Sequence, residues 1–372
     1  VFEWRLLRKL DWLLLAAALA LCGVGMLAIY SASRPGLLLQ GQPPAYLLSR
    51  QLLWFGLGLV LLGGLLYLDY MVLLRWRRAI YLVAVVLLLL VIKLGHSSGG
   101  AMRWLGVGPL SLQPSELSKL AVLIGLAALL RRDPAAPLSG GALLRSGLYV
   151  AVPFLLVFKQ PDLGTALVLA ALWATMVFLA GAHRWHLLAL ALAGVLAFSA
   201  AWQMGMLKDY QKDRLRVFVD PGADPLGAGY HVTQSRIAIG SGRLVGKGYL
   251  RGTQSQLRFI PEQHTDFVFA VIGEEWGLLG GLGVIALYLL LIWRMGRLAE
   301  AADDAFGALL AAGGAAMLVM QCVVNMGMTM GIMPVTGIPL PFLSYGGSSL
   351  LTNLGAVALA LNVGMRRQKI RW

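Results

Sequence analysis

About ten stretches of apolar residues, separated mostly by short polar connections, run the length of the chain. They lie at approximately 11–30, 51–69, 79–95, 114–130, 146–159, 163–181, 186–206, 267–293, 306–330 and 348–364. Most approach the roughly 20 residues that carry an α-helix across a bilayer. The pattern predicts an all-α, polytopic membrane protein with about ten transmembrane helices. The fifth run is short and interrupted by Pro153; a re-entrant segment there would change the count and reverse everything after it. One connection stands apart, from 207 to 266, at roughly 60 residues far longer than an ordinary loop and therefore a functional candidate. The chain reads as a single transmembrane domain over 1–372, with 207–266 as a large extracellular loop between spans 7 and 8.

Composition agrees with this picture. The chain is 59% hydrophobic and 13% charged, about half the charged share of a soluble domain. Its net charge of +14 is unevenly spread. Arg5, Arg8 and Lys9 precede the first run, and Arg75, Arg77, Arg78, Arg131, Arg132, Arg145, Arg184, Arg294 and Arg297 fall in alternate connections. Arg366, Arg367, Lys369 and Arg371 close the chain, whereas the opposite short loops hold Arg34, Arg50, Arg103 and Lys159. The positive-inside rule then places both termini in the cytoplasm, which needs an even number of spans. A multi-pass protein of the cytoplasmic (inner) membrane is expected. The first apolar run lacks a small-residue cleavage site and is expected to remain as a span. Cys22 and Cys322 both lie in apolar runs, against a disulfide framework or a metal site.

The long loop is itself basic, with Lys208, Lys212, Arg214, Arg216, Arg236, Arg243, Lys247, Arg251 and Arg258. Two readings are open: nonspecific attraction to anionic membrane lipids, or a site for an anionic substrate on the outer face. Nucleic acid is not an expected partner. The run IGSGRLVGKG (239–248) hints at a phosphate loop, but its Gly-to-Lys spacing is wrong and Gly248, not Ser or Thr, follows Lys247.

The candidate chemistry lies where polar segments meet the apolar runs. In QSQLRFIPEQHTDFVFAVIGEEWG (254–277), Asp266 sits where the loop enters the eighth run. A carboxylate there suits either helix capping, by Thr265 or Asp266, or catalysis. Spans 4 and 6 open with Gln-Pro followed by an acid, Glu116 and Asp162. Glu116 and Lys119 are three apart and share a helix face. They form either an internal ion pair or part of a polar cavity open to the outside. Spans 4, 6, 8 and 10 all start on the outer side, so their positive dipole ends converge there. Span 10 is entered through GIPLPFLSYGGSS (337–349), which includes Ser344 and offers free backbone amides. This mouth suits a phosphate-bearing lipid and a base.

These residues carry a resemblance that covers nearly the whole chain. GAMRWLGVGPLSLQPSELSKL (100–120), KQPDLGTAL (159–167), DPLGAGYHVTQSRIAIGSGRLVGKG (224–248), PEQHTDFVFAVIGEEWG (261–277) and TGIPLPFLSYGGSS (336–349) resemble the SEDS (shape, elongation, division and sporulation) family of RodA/FtsW cell-wall glycosyltransferases. The run QLRFIPEQHTD is more similar to the RodA, or elongation, branch. Arg258 departs from the acid expected at that place. The resemblance implies polymerisation of lipid II into β-1,4 glycan strands outside the cytoplasmic membrane, for elongation and cell shape. Asp266 matches the family's catalytic aspartate. It would take the proton of the acceptor 4-hydroxyl while undecaprenyl pyrophosphate leaves the donor with inversion. Arg236, Arg243 and Lys247 are the expected substrate-binding cations, with Lys119 as an alternative. Glu116, Asp162 and Ser344 complete the expected substrate contacts. A divalent cation, Mg or Mn, would share the leaving-group role, although no ligand cluster points to one. The implied partner is a class B penicillin-binding protein transpeptidase. A lipid II flippase and a non-catalytic scaffold of the elongation complex are the competing readings; the crowding of paired charges at the outer ends favours chemistry there. One tension stays open: the helix dipole should make Asp266 a weak base, whereas Glu262 or desolvation should strengthen it.

Overall fold

The computed structural model describes residues 8–98, 101–107, 110–131, 138–205, 209–220, 224 and 227–367. The predicted cations Arg5, Arg132, Lys208, Lys369 and Arg371 lie outside them. Each apolar run forms a helix. In chain order these are α1 (Trp12–Leu39), α2 (Tyr46–Tyr67), α3 (Tyr70–Leu94), α4 (Pro114–Leu130), α5 (Gly140–Lys159), α6 (Leu163–Leu179) and α7 (Arg184–Gln203). The long connection is largely helical, with α8 (Asp209–Val219), α9 (Ala228–Ser241) and the single turn α10 (Thr253–Gln256). The chain then returns through α11 (Val268–Glu300), α12 (Ala305–Thr329) and α13 (Gly347–Arg366). Between α3 and α4 a small antiparallel ribbon, β1 (His96–Ser98), β2 (Ala101–Val107) and β3 (Leu110–Leu112), carries Arg103.

Six helices, α1, α2, α5, α11, α12 and α13, have the length and composition to cross a membrane. Of the other four, α4 and α6 have 17 residues each, α3 carries three arginines near its start, and the apolar part of α7 is short. The fifth run, doubtful in the sequence, is one unbroken helix of 20 residues that contains Pro153.

The core has two apolar halves joined by α13, which is buried along most of its length. One half packs α1, α2, α11 and α13 around residues such as Leu14, Leu21, Leu291 and Leu354. The other packs α4, α5, α6 and α12 around Leu123, Leu126, Leu169 and Leu310. By contrast α7 exposes Leu188, Leu192 and Val195, the apolar exterior that a lipid-facing helix presents.

The eighth run departs from a simple span. Gly277, at φ 67° and ψ −162°, interrupts α11. The 242–248 loop docks against the interruption. Its Lys247 and Gly248 amides donate to the Glu274 and Glu275 carbonyls, both at 3.0 Å, and Leu278 donates to the Arg243 carbonyl at 2.8 Å. The backbones approach so closely that a Cβ on Gly246 would lie 2.1 Å from the Glu275 carbonyl oxygen. Glycine is therefore required on steric grounds. Gly242, Gly246 and Gly248 of the run that hints at a phosphate loop are used for backbone contact with a broken helix.

Candidate active site

Asp266 stands at the head of the first part of α11, in a turn that its neighbours build. The amides of Thr265 and Asp266 donate to the Glu262 carbonyl at 3.2 and 3.0 Å. The turn is then fastened to the segment leading into α13. Asn325, buried in α12, donates through Nδ2 to the carbonyls of Asp266 and Ile338 at 2.9 and 2.8 Å. The Ser344 hydroxyl donates to the Thr265 carbonyl at 2.5 Å and accepts from the Leu340 amide at 2.8 Å. The Tyr345 amide donates to the His264 carbonyl at 2.9 Å. A loop at the membrane boundary is thereby held on a rigid base, as a reacting group requires.

The capping reading fails on geometry. The N-cap of α11 is Phe267, and no side chain caps it. The Asp266 carboxyl instead faces the 336–338 backbone, where a Cβ on Gly337 would lie 3.4 Å from Oδ2. Burial raises its pKa from an ordinary 3.8 to about 6, and the charge of Glu262 adds to the rise. Arg214, Arg103 and a hydrogen bond with Thr265 oppose it without cancelling it. The tension in the sequence is thus resolved toward a stronger base. The neighbouring imidazole of His264 is lowered by burial, with Glu262 opposing.

Of the other expected site residues, the structure brings Asp162 into this neighbourhood but spends its carboxylate. Oδ1 accepts from the Thr165 amide at 3.2 Å and caps α6; Oδ2 accepts from Gln113 Nε2 and Ser115 Oγ, both at 3.1 Å. Arg103 lies 3.9 Å away and donates to the Gln160 carbonyl at 3.2 Å and to that of Pro161. Asp162 knots the starts of α4 and α6 to β2. Gly164 of α6 meets the Thr336 carbonyl, where a Cβ would sit at 3.0 Å.

Three of the expected site groups have protein partners in this structure. Glu116 and Lys119 pair at 2.8 Å with 2% and 1% of their surface exposed. Lys119 also reaches Gln321 Oε1 at 3.4 Å. They form the internal ion pair that their spacing allows, buried beneath α12 and α13. Lys247 is no free cation: its ammonium donates to Glu274 Oε1 at 2.8 Å and Thr253 Oγ1 at 2.7 Å. Ser344 is buried and commits its hydroxyl to two backbone groups, which leaves it a fastener of the Asp266 turn. Arg243 has an exposed side chain and lies at the α11 interruption, away from the Asp266 turn. Arg236 borders a cleft of only 20 Å³ together with Arg214.

The cations that act on Asp266 are Arg103 and Arg214, which sequence pattern alone does not distinguish from their neighbours. Arg214 donates to the Thr336 carbonyl at 3.2 Å, which sets it beside the Gly337 turn. A signal for each was present, since Arg103 lies inside the first family-like stretch and Arg214 among the loop cations. Among the described residues no group of three or more His, Cys, Asp and Glu side chains could hold a metal ion.

Comparison with known proteins agrees in sequence and in fold. The cell cycle protein family FTSW_RODA_SPOVE matches residues 11–369. Peptidoglycan glycosyltransferase MrdB of Escherichia coli (strain K12) is 40% identical over 364 residues, covering 97% of this chain and 95% of the relative. Among solved structures, a chain of a peptidoglycan synthase complex that coordinates polymerization and crosslinking superposes with a TM-score of 0.80 at 35% identity. That match covers 95% of this chain and 97% of the other. The rod shape determining protein RodA of Thermus thermophilus gives 0.71 at 32% identity over 97% and 98% of the two chains. With its apolar helices, its boundary aspartate and matches of this extent, the chain belongs to the SEDS family of FtsW, RodA and SpoVE proteins and is RodA-like.

Proposed function

We propose that this protein is a peptidoglycan glycosyltransferase that polymerises lipid II into β-1,4 glycan strands at the outer face of the cytoplasmic membrane, with Asp266 as its base. The relatives named as peptidoglycan glycosyltransferases support the reaction class. In this reading the ten long helices cross the membrane, both termini are cytoplasmic, and the 207–266 connection faces outward as part of a single transmembrane domain. The loop charges support that orientation.

The observation that carries the assignment is a half-buried carboxyl, fixed by four hydrogen bonds to its turn from Asn325, Ser344, Tyr345 and its own amide, and raised to about 6. Such a group is ionised near neutral pH yet retains real proton affinity, as a general base needs. Its carboxylate takes the proton of the acceptor 4-hydroxyl. The freed oxygen pair attacks the anomeric carbon of the donor, and the bond from that carbon to the pyrophosphate oxygen breaks. The electron pair leaves on undecaprenyl pyrophosphate. An α-linked donor gives a β-linked product, so a single displacement with inversion suffices. The departing charge needs fixed cations; Arg103 and Arg214, whose charges act on Asp266, join Arg236, Arg243 and Lys247 as the candidates. A class B penicillin-binding protein transpeptidase is the partner, a reading supported by the likeness to a chain of a synthase complex.

The test is polymerisation of lipid II by the purified protein with its transpeptidase, read as glycan strands on a gel. Asp266→Ala should yield no strands. Undiminished polymer from that variant would remove Asp266 from the mechanism, and lipid movement across vesicles without polymer would indicate a transporter.

A further inference from the structure

The Asp266 turn is only as rigid as the 337–346 segment to which Ser344 and Tyr345 fasten it. That segment makes a tight corner, in which the Leu343 and Ser344 amides both donate to the Leu340 carbonyl, at 3.2 and 3.0 Å. Phe342 stands at the corner with φ 66°, a left-handed conformation that a bulky residue keeps only where its surroundings force it. Those surroundings come from three helices. Gly25 of α1 approaches so closely that a Cβ there would lie 2.4 Å from the Phe342 carbonyl oxygen. Gln51 of α2, which is buried, accepts from the Gly346 amide at 3.2 Å and donates to the Ser344 carbonyl at 3.5 Å. From α11 the buried Tyr288 donates its hydroxyl to the Pro341 carbonyl. The Cys322 thiol of α12 reaches the same hydroxyl.

Tyr288 differs from the other anchors in where it stands. It belongs to the part of α11 beyond the interruption at Gly277, whereas Asp266 heads the part before it. The Leu278 and Leu279 amides donate to the Arg243 and Leu244 carbonyls, at 2.8 and 3.0 Å, and not to their own helix. The hydrogen-bond ladder that would fix one part of the helix to the other is therefore cut. The Tyr288 hydroxyl joins the two parts by another route. It runs from Pro341 around the Phe342 corner to Ser344 and Tyr345, and from there to the Thr265 and His264 carbonyls beside Asp266. A phenylalanine would fill the same apolar space, so the phenol's polar group has a use only in the bond it makes.

We propose that Tyr288 is a positioning residue for Asp266: its hydroxyl sets the Pro341–Tyr345 corner, and the corner sets the carboxyl. The proposal rests on the reading of Asp266 as the base. Tyr288 touches no reacting atom. Its competing role is to satisfy a buried carbonyl, with stability as the only consequence.

The test compares two variants of the full chain. Tyr288→Phe deletes the hydroxyl and keeps the ring. Leu298→Ala opens a cavity roughly 15 Å further along α11, where Leu298 packs on Gly364 of α13, and controls for lost stability alone. Amide hydrogen exchange is read first. Tyr288→Phe should speed exchange about tenfold in residues 261–268, whereas Leu298→Ala should leave that stretch within about twofold. Polymerisation of lipid II with the transpeptidase partner is read second. In Tyr288→Phe kcat should fall by about tenfold to 10²-fold, the upper figure being that of a 1 Å misplacement, with KM within about twofold. Adding Ser344→Ala should cost little beyond the larger single loss, because both act through one corner. Should Tyr288→Phe fail to fold, Gly25→Ala presses on the same corner from α1 and should give the same pattern. Unchanged exchange at 261–268, or a kcat that falls no further than in Leu298→Ala, overturns the proposal. Failure of the polymerase reading is seen separately, as absence of glycan strands from the unmutated protein with its partner; the exchange comparison then still decides whether Tyr288 holds the Asp266 turn.

Discussion

Asp266 and Glu274 are carboxylates at the two ends of the first part of α11, and the fold treats them in opposite ways. Glu274 has no exposed surface and is saturated. Lys247 neutralises it at 2.8 Å, and its two oxygens accept the Gln254 and Ser255 amides at 2.8 and 3.0 Å, which caps α10 from outside. Asp266 has a like charge nearby in Glu262, and Arg103 and Arg214 only moderate the effect. One acid is therefore a latch that holds the outer loop to a broken helix, and the other is a base held ready. The difference lies in the surroundings, not in residue type: a partnered carboxylate is stabilised as the anion, whereas a desolvated one beside a like charge holds its proton more tightly.

The largest test of the contrast is Asp266→Asn. Activity should fall by about 10²- to 10⁴-fold, the usual range for a lost general base, measured as glycan strands formed per unit time. Stability should move the other way. A carboxyl raised to about 6 binds more protons folded than unfolded between its ordinary pKa and that value. Stability is therefore lost as pH rises through this window, and the anion is a burden at neutral pH. The amide removes the burden. Thermal unfolding at pH 7.5 should show Asp266→Asn more stable by about 1 kcal/mol, after allowance for partial solvent screening. A variant that loses both activity and stability would make Asp266 a structural residue.

At the other end, Lys247→Met should leave the Glu274 charge buried and without its cation. The cost is about 3 kcal/mol, at the lower edge of the range for a broken buried pair because Lys247 is partly exposed. Unfolding in detergent reads this directly, and Lys247→Met with Glu274→Met should recover much of it. A fall in activity without loss of stability would instead restore Lys247 to the substrate-binding role that its place in a basic loop suggests.

Lys247 shows where sequence stops being informative. The apolar runs fix helices by composition: each forms one, and six have the length and composition to cross a membrane. Asp266 is visible because an acid at the edge of an apolar run is costly anywhere else. The partner of Lys247 is not visible, since nothing local connects it to Glu274. A basic Gly-rich loop reads as an anion site until its glycines are found against the backbone at Gly277. Ser344 is similar: a Ser in a Gly- and Pro-rich entrance suggests a ligand contact, but its hydroxyl is claimed by Thr265 and Leu340 through tertiary packing. Arg214 was one of nine cations in the loop, and only the position of Thr336 distinguishes it from the others.

Ser344→Ala offers a smaller effect on the same comparison. It leaves the buried Leu340 amide and Thr265 carbonyl short of a partner, at about 1–2 kcal/mol. Because the Thr265 carbonyl belongs to the Asp266 turn, kcat should fall with stability while KM for lipid II changes little. A raised KM with unchanged kcat would make Ser344 a substrate contact after all.

The smallest expected effect is the most specific to Asp266. Polymerisation should have an acid limb near pH 6, with activity falling as pH drops through it, because the protonated carboxyl cannot accept the acceptor's proton. Burial is the larger cause of the high value and Glu262 the second. Glu262→Gln keeps the shape and removes the like charge, so the limb should move to lower pH by about half a unit. Below the limb the variant should then outperform the unmutated protein about threefold, a gain of activity that damage to the fold cannot imitate. Lys247→Met gives the matching control: it changes a charge at the latch, beyond the groups that act on Asp266, so its limb should stay in place even as its stability falls. If both substitutions move the limb together, the two ends of this helix segment are one electrostatic unit, and the separation of base from latch does not hold.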